Sequence, residues 1–166
     1  MNLNSKVLVL PNICGIHLDL TGQLTPTVGP SLQPFYNTVV ENATPVPAYF
    51  SPSKAVISES GAETRSGMVY DQKLQLQFPS ADPLKVMRLE AYLKVKFIYI
   101  TLSTGMVLFF GRNDYFQNTE PKKSVSITKE LTQITYTVKS MFSLGFTNGS
   151  FDFELPEDFP VNFYNL

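Results

Sequence analysis

A chain of 166 residues has room for one ordinary domain with a real hydrophobic core and is too short for two of typical size. Charged residues make up 16% of it and the formal net charge is -1, so no field exists to gather a polyanion, and the only basic doublet is Lys122-Lys123. That excludes nucleic acid as a main ligand, while the low charge leaves surface for protein partners to cover.

The first residues, MNLNSKVLVLPN, carry a short apolar run without a long signal-type core or small-residue cleavage site, so an unprocessed chain is expected. No run approaches the roughly 18 apolar residues of a membrane helix, and a soluble chain is the expectation. Cys14 is the sole cysteine and excludes an internal disulfide. It sits in the apolar stretch Leu10-Pro-Asn-Ile-Cys-Gly-Ile-His17, where a buried, inert thiol is expected.

Residues 1–53 read as a proline-rich arm. Pro11, Pro26, Pro30, Pro34, Pro45 and Pro47 leave no room for a long helix and keep strands short or at an edge. Ile16, Leu18 and Leu20 alternate with His17 and Asp19 ahead of Thr21-Gly22, which predicts one short strand, and Val39-Val40 offers a weaker one.

Residues 54–140 read as the β-rich core. A strand is expected over 54–59, a polar loop over 61–67, and a long strand over 68–78 with Tyr70, Leu74, Leu76 and Phe78 on a dry face and Asp71, Lys73, Gln75 and Gln77 on a wet one. Pro79 ends it. Asp82-Pro83 then opens a helix of about three turns, Asp82 accepting from first-turn amides and Pro83 supplying its preset φ. Val86, Leu89, Leu93 and Tyr92 are expected inward, with Lys85, Arg88 and Lys96 in solvent. Residues 97–102 and 106–110 flank Ser103-Thr104-Gly105 as a hairpin with both faces covered. Beyond the loop Gly111–Pro121, strands are expected over 123–127 and 131–138, with Thr132, Ile134, Tyr136 and Val138 giving the drier side. Residues 141–166 are aromatic without a period and broken by Gly and Pro, which reads as a docking segment of the same domain.

The expected fold class is therefore mainly β: an antiparallel β-sandwich or partly open barrel with one short flanking α-helix and extended terminal arms. His17 is the only histidine, which removes the commonest general base and metal ligand from every other position. Cys14 and His17 lack a second pair to complete a zinc shell. No spacing by itself sets two carboxylates facing across a cleft, and phosphate-loop, dinucleotide, nucleophile-elbow and His-Glu-x-x-His motifs are absent. No catalytic residue, cofactor or metal is assigned, and an enzyme is not expected.

The candidate partner-binding residues are Arg112, Asn113, Asp114, Tyr115 and Phe116, which follow a very apolar strand into a loop, and Phe159, Phe163 and Tyr164 in the aromatic tail. Arg112 is expected to pair with Asp114 or a neighbouring carboxylate, Asn113 to cap the turn, and the two rings to anchor the loop or a partner.

The order of hairpin, short helix, second hairpin and returning strand over 54–140 resembles the small β-sandwich proteins of the tail tubes and baseplates of tailed bacteriophages. Tyr70-Asp-Gln-Lys-Leu-Gln-Leu-Gln-Phe78, the Asp82-Pro83 helix start and Gly111-Arg-Asn-Asp-Tyr-Phe-Gln-Asn-Thr119 are also similar to small proteins of bacterial prophages. The resemblance implies a virion structural subunit of a tail, baseplate or head-to-tail connector. Such a subunit would form a homo-oligomer, meet other virion proteins, and stay soluble in the host cytoplasm before assembly. Exposed Tyr and Phe beside Asn, Gln and Asp support one alternative of another class, a bacterial surface carbohydrate-binding or adhesion module.

Overall fold

Alternation of apolar and polar residues builds the middle of the molecule. In the computed structural model, which describes residues 12–24 and 40–147, strand β6 (Gly67–Pro79) runs antiparallel to β10 (Leu131–Ser140) over the whole length of β10. Leu74, Leu76 and Phe78 of β6 and Thr132, Ile134, Tyr136 and Val138 of β10 are buried, because a period of two puts all of them on one face. β5 (Val56–Thr64) and β9 (Lys122–Ile127) complete a four-stranded sheet in the order β5-β6-β10-β9.

The second sheet has five strands. β7 (Phe97–Leu102) and β8 (Val107–Phe110) form a hairpin closed by Gly105 at φ 83°, the positive φ that glycine adopts at no steric cost. β1 (Ile13–Asp19) pairs with β7 on one side and β4 (Val46–Pro47) on the other, and β11 (Gly145–Thr147) pairs with β8. The order is β11-β8-β7-β1-β4, and a separate two-stranded ribbon joins β2 (Gln23–Leu24) to β3 (Val40–Glu41). The protein is thus mainly β, with two antiparallel sheets and one short helix in a sandwich-like arrangement.

One core lies between the sheets, built from Ile16, Leu18, Ile98, Ile100, Leu102, Leu108 and Phe110 on one side and Leu74, Leu76, Phe78, Ile134, Tyr136 and Val138 on the other. The opposite face of the five-stranded sheet carries a second cluster of Phe97, Tyr99, Val107 and Phe109, with Leu24 against it. The Phe97 and Phe109 rings stack at 5.6 Å. Both faces of the β7–β8 hairpin are therefore dry, as its composition indicated.

Three local expectations are corrected. The 61–67 loop is strand for most of its length: β5 continues to Thr64, and only Arg65-Ser66 turn before Gly67. Gly61 permits this, since a Cβ there would meet the Tyr70 ring across the hairpin at 3.0 Å. Helix α1 (Lys85–Tyr92) has eight residues and faces the core differently. Tyr92 is buried and Leu89 half-buried, but Val86 is 73% and Leu93 44% exposed, while Arg88 is drawn inward to Asp82 at 2.5 Å and lies 4.3 Å over the Tyr49 ring. An ion pair at the entry and the Tyr92 hydroxyl at the exit set the helix rotation in place of the Val86–Leu93 stripe. The helix also starts later than the Asp82-Pro83 signal indicated: its N-cap is Leu84 with no side-chain cap, so Pro83 precedes it and Asp82 accepts from the Leu84 amide at 3.1 Å. Burial pushes its carboxyl upward, but the Leu84 amide and Arg88 outweigh this and hold it below the usual value. Cys14, third, is exposed at the start of β1, where the pairing with β7 shifts register between Ile13 and Gly15.

Ile100 is fully buried in the central strand of the five-stranded sheet. Ile100→Asp places an unpaired carboxylate there and is expected to cost at least about 4 kcal/mol, most of the stability of a marginal domain. Urea unfolding followed by circular dichroism checks this; unchanged stability would mean that the strand lies at the surface.

Candidate functional site

β8 ends at Phe110, and the chain must turn away from a sheet that is dry on both faces. Gly111 makes the turn at φ 126°, and a Cβ there would lie 2.7 Å from the Lys96 carbonyl and 3.1 Å from the Phe97 Cα. Only glycine fits such an approach at such an angle. The loop that follows folds over the end of β10.

Asn113 is the keystone of this loop and is 1% exposed. Its side-chain oxygen accepts from the Lys139 amide at 2.9 Å, its Nδ2 donates to the Thr119 carbonyl and hydroxyl at 3.2 and 3.3 Å, and its backbone carbonyl accepts from the amides of Phe116 and Asn118. Gln117 and Asn118 both take left-handed conformations, φ 58° and 57°, to bring the chain back. Asp114 opens a single 3-10 turn through Phe116. Arg112 Nε reaches both Asp114 oxygens, and the Ser140 hydroxyl donates to Asp114 at 2.8 Å while accepting from the Phe142 amide. The Arg112 guanidinium also lies 4.9 Å from the Phe142 ring centre.

Arg112, Asn113 and Asp114 are thus occupied within the loop and with β10. What remains outward is aromatic: Tyr115 is 50% and Phe116 39% exposed, and their rings meet edge to face at 5.2 Å. Lys139 Nζ stands 4.9 Å from the Tyr115 ring centre, and Lys122 Nζ is at the same distance from Phe116, within the reach of cation–π attraction. A shallow depression of about 400 Å³ beside the rings is lined by Asn113, Tyr115, Phe116, Gln117, Thr119 and Lys122.

The five predicted loop residues are therefore brought together, in two roles: three hold the loop and two are presented by it. Phe159, Phe163 and Tyr164 lie outside the described residues. Lys122, Lys139, Thr119 and Ser140 were not singled out from sequence. Lys139 lay just beyond the strand expected over 131–138, and nothing in the sequence tied it to Tyr115. A second cleft of about 430 Å³ opens between this loop and the β2 turn, where Phe97 and Gly111 meet Lys96, Asn118 and Glu120.

His17 stands across from Tyr99 in the β1–β7 ladder. Burial lowers its pKa from 6.5 because desolvation penalises the charged ring. Among the described residues no group of three or more His, Cys, Asp or Glu is placed to hold a metal ion. No family model, curated protein or solved structure matches the chain.

Asn113→Ala removes the acceptor of a buried amide and is expected to cost about 1–3 kcal/mol, with faster hydrogen exchange at the Lys139 amide as the local readout. His17 supplies a pH prediction. The unfolded state binds its proton at higher pH than the folded state, so stability is whole above pH 6.5 and falls as pH drops from there toward the lowered native value. Thermal unfolding across this range should show the loss, and His17→Asn should flatten it.

Proposed function

We propose that this protein is non-catalytic and works by protein–protein assembly. In its narrower form the reading is a structural subunit of a tailed-phage virion, in a tail, baseplate or head-to-tail connector, soluble in the host cytoplasm until it is built in. The observation that carries the assembly reading is the pair Tyr115 and Phe116. Two large rings stand in solvent on a loop whose polar groups are spent on holding it still, and rigid exposed aromatics beside cations are the composition of interface hot spots. Little conformational entropy is lost when such a loop docks. Exposed Val86 and Met87 on α1 and Leu93 at its C-cap add apolar surface of the kind that partners cover. The virion form rests on the resemblance of the 70–78, 82–83 and 111–119 segments to phage proteins.

The carbohydrate-binding alternative would draw on the same rings with Gln117 and Thr119 beside them. An interplanar angle of 83° makes a poor stacking platform for a flat sugar face, and assembly is the better supported of the two.

The test uses the Tyr115→Ala, Phe116→Ala double variant. Both rings are substantially exposed, so it should unfold within about 1 kcal/mol of wild type. Mass spectrometry of purified tailed particles should find the wild-type chain at a repeated stoichiometry and the folded double variant depleted from them. A wild-type chain found only outside particles would overturn the virion reading, and undiminished incorporation of the variant would take the contact away from these rings.

A further inference from the structure

Among the described residues, β5 is the outer strand of the four-stranded sheet and pairs with β6 on one side only. Eight of its nine residues are exposed and the ninth is half-buried. Its register with β6 runs from Val56↔Gln75 to Thr64↔Gly67 without a shift, so no bulge twists the free edge away. A row of unpaired backbone groups of this kind is a template for another strand, and proteins usually guard it with Lys, Pro, a bulge or short length. The other edges are guarded: β9 carries Lys122 and Lys123, β4 is two residues ending in Pro47, and β11 is three residues long. β5, VISESGAET, is nine residues long without Lys, Pro or a bulge, and its only charges are the carboxylates of Glu59 and Glu63.

We infer that β5 is a self-association edge, and that its occupant is β5 of a second copy, antiparallel, across a twofold axis through Ser60. The inference rests on the assembly reading but uses a surface separate from the Tyr115–Phe116 loop. Charge argues for this occupant and for this register. With Ser60 on the axis, Val56 lies opposite Thr64 of the second copy, Ile57 opposite Glu63, Ser58 opposite Ala62, and Glu59 opposite Gly61, so no carboxylate faces another. A slip of two residues one way sets Glu59 against Glu59, and the other way sets Glu59 against Glu63, and like charges directly opposite in a sheet are unfavourable. The middle of the joint, Ser58, Ser60, Gly61 and Ala62, is small, which lets two backbones come to ladder distance there without repacking. The product is one continuous eight-stranded sheet with an isologous joint. Glu59 enters it already held in place, since its carboxylate accepts from Gln72 Nε2, the Ser143 hydroxyl and the Leu144 amide of its own chain.

The test is a charge pairing at the axis, read by sedimentation equilibrium of the full-length chain. Ser60 is exposed, so S60K and S60E should both fold, as thermal unfolding will verify, and S60A should associate like wild type. In the twofold register each charged variant faces itself, and each alone should associate about fivefold more weakly than wild type. Their equimolar mixture should recover association, because opposite charges then meet across the axis. Recovery in the mixture alone supports this joint and this register. Self-association that neither variant weakens, or that the mixture does not restore, overturns the β5 joint while assembly through another surface stands. A wild-type chain that remains at 18.6 kDa at high micromolar concentration overturns the second copy as occupant, and the Tyr115–Phe116 reading then stands or falls on its own experiment.

Discussion

Everything in the sandwich is arranged around one polar thread through an apolar interior. Tyr136, fully buried in the middle of β10, carries its hydroxyl across the core to donate to the Tyr92 carbonyl at 2.9 Å. The Tyr92 hydroxyl in turn donates to the Tyr49 carbonyl at 2.7 Å and accepts from the Tyr49 amide at 2.8 Å. The thread links a central strand, the last turn of the helix and the segment leaving β4. Burial pushes both phenols above their ordinary value, so each is a neutral donor at neutral pH. The Phe78 ring meets Tyr92 edge-on at 5.9 Å and fills the space beside the thread. Had either hydroxyl lacked its carbonyl, the cost of an unpaired buried donor would fall on the part of the core where the helix docks.

Much of this was legible because a period of two is hard to mistake. Leu74, Leu76 and Phe78 face the core, as alternation alone required, and so do Ile134, Tyr136 and Val138. The helix was legible as a helix but not in its rotation. Hydrophobicity nominated Val86 and Leu93, whereas an Asp82–Arg88 pair and a tyrosine hydroxyl, which a hydrophobic stripe ignores, decided which side turned in. The polar letters of 61–67 suggested a loop for a similar reason: Ser, Gly, Glu and Thr at a solvent-facing edge look alike in a strand and in a turn, and only pairing to β6 tells them apart. Placement in a sheet is another thing that a local pattern does not contain. The short strand over Ile16 and Leu18 was visible, but not that it runs between β7 and β4.

At the candidate site, residue types pointed to the right segment and to the Arg112–Asp114 pair within it, but not to the partners that hold the loop from outside. Arg112-Asn113-Asp114-Tyr115-Phe116 stood out because charge and aromatic rings followed a wholly apolar strand. That Asn113 is spent on Lys139, and Asp114 on Ser140 as well as on Arg112, depends on contacts from β10 some 26 positions away, which no spacing rule reaches. The consequence is physical: groups that looked available for recognition hold the loop, and its outward chemistry reduces to two rings and two ammoniums.

The long pairing of β6 with both its neighbours has a mechanical corollary. A pull along that strand loads the β6–β10 ladder, over the ten residues of β10, and the β6–β5 ladder, over the nine of β5, in shear. Bonds loaded in shear share the force and yield together, whereas a strand pulled sideways from an edge unzips one pair at a time. Tension entering at one end of this sheet therefore meets its stiffest direction, and the short pairings of β4 and β11, two and three residues each, are where the molecule would first give way.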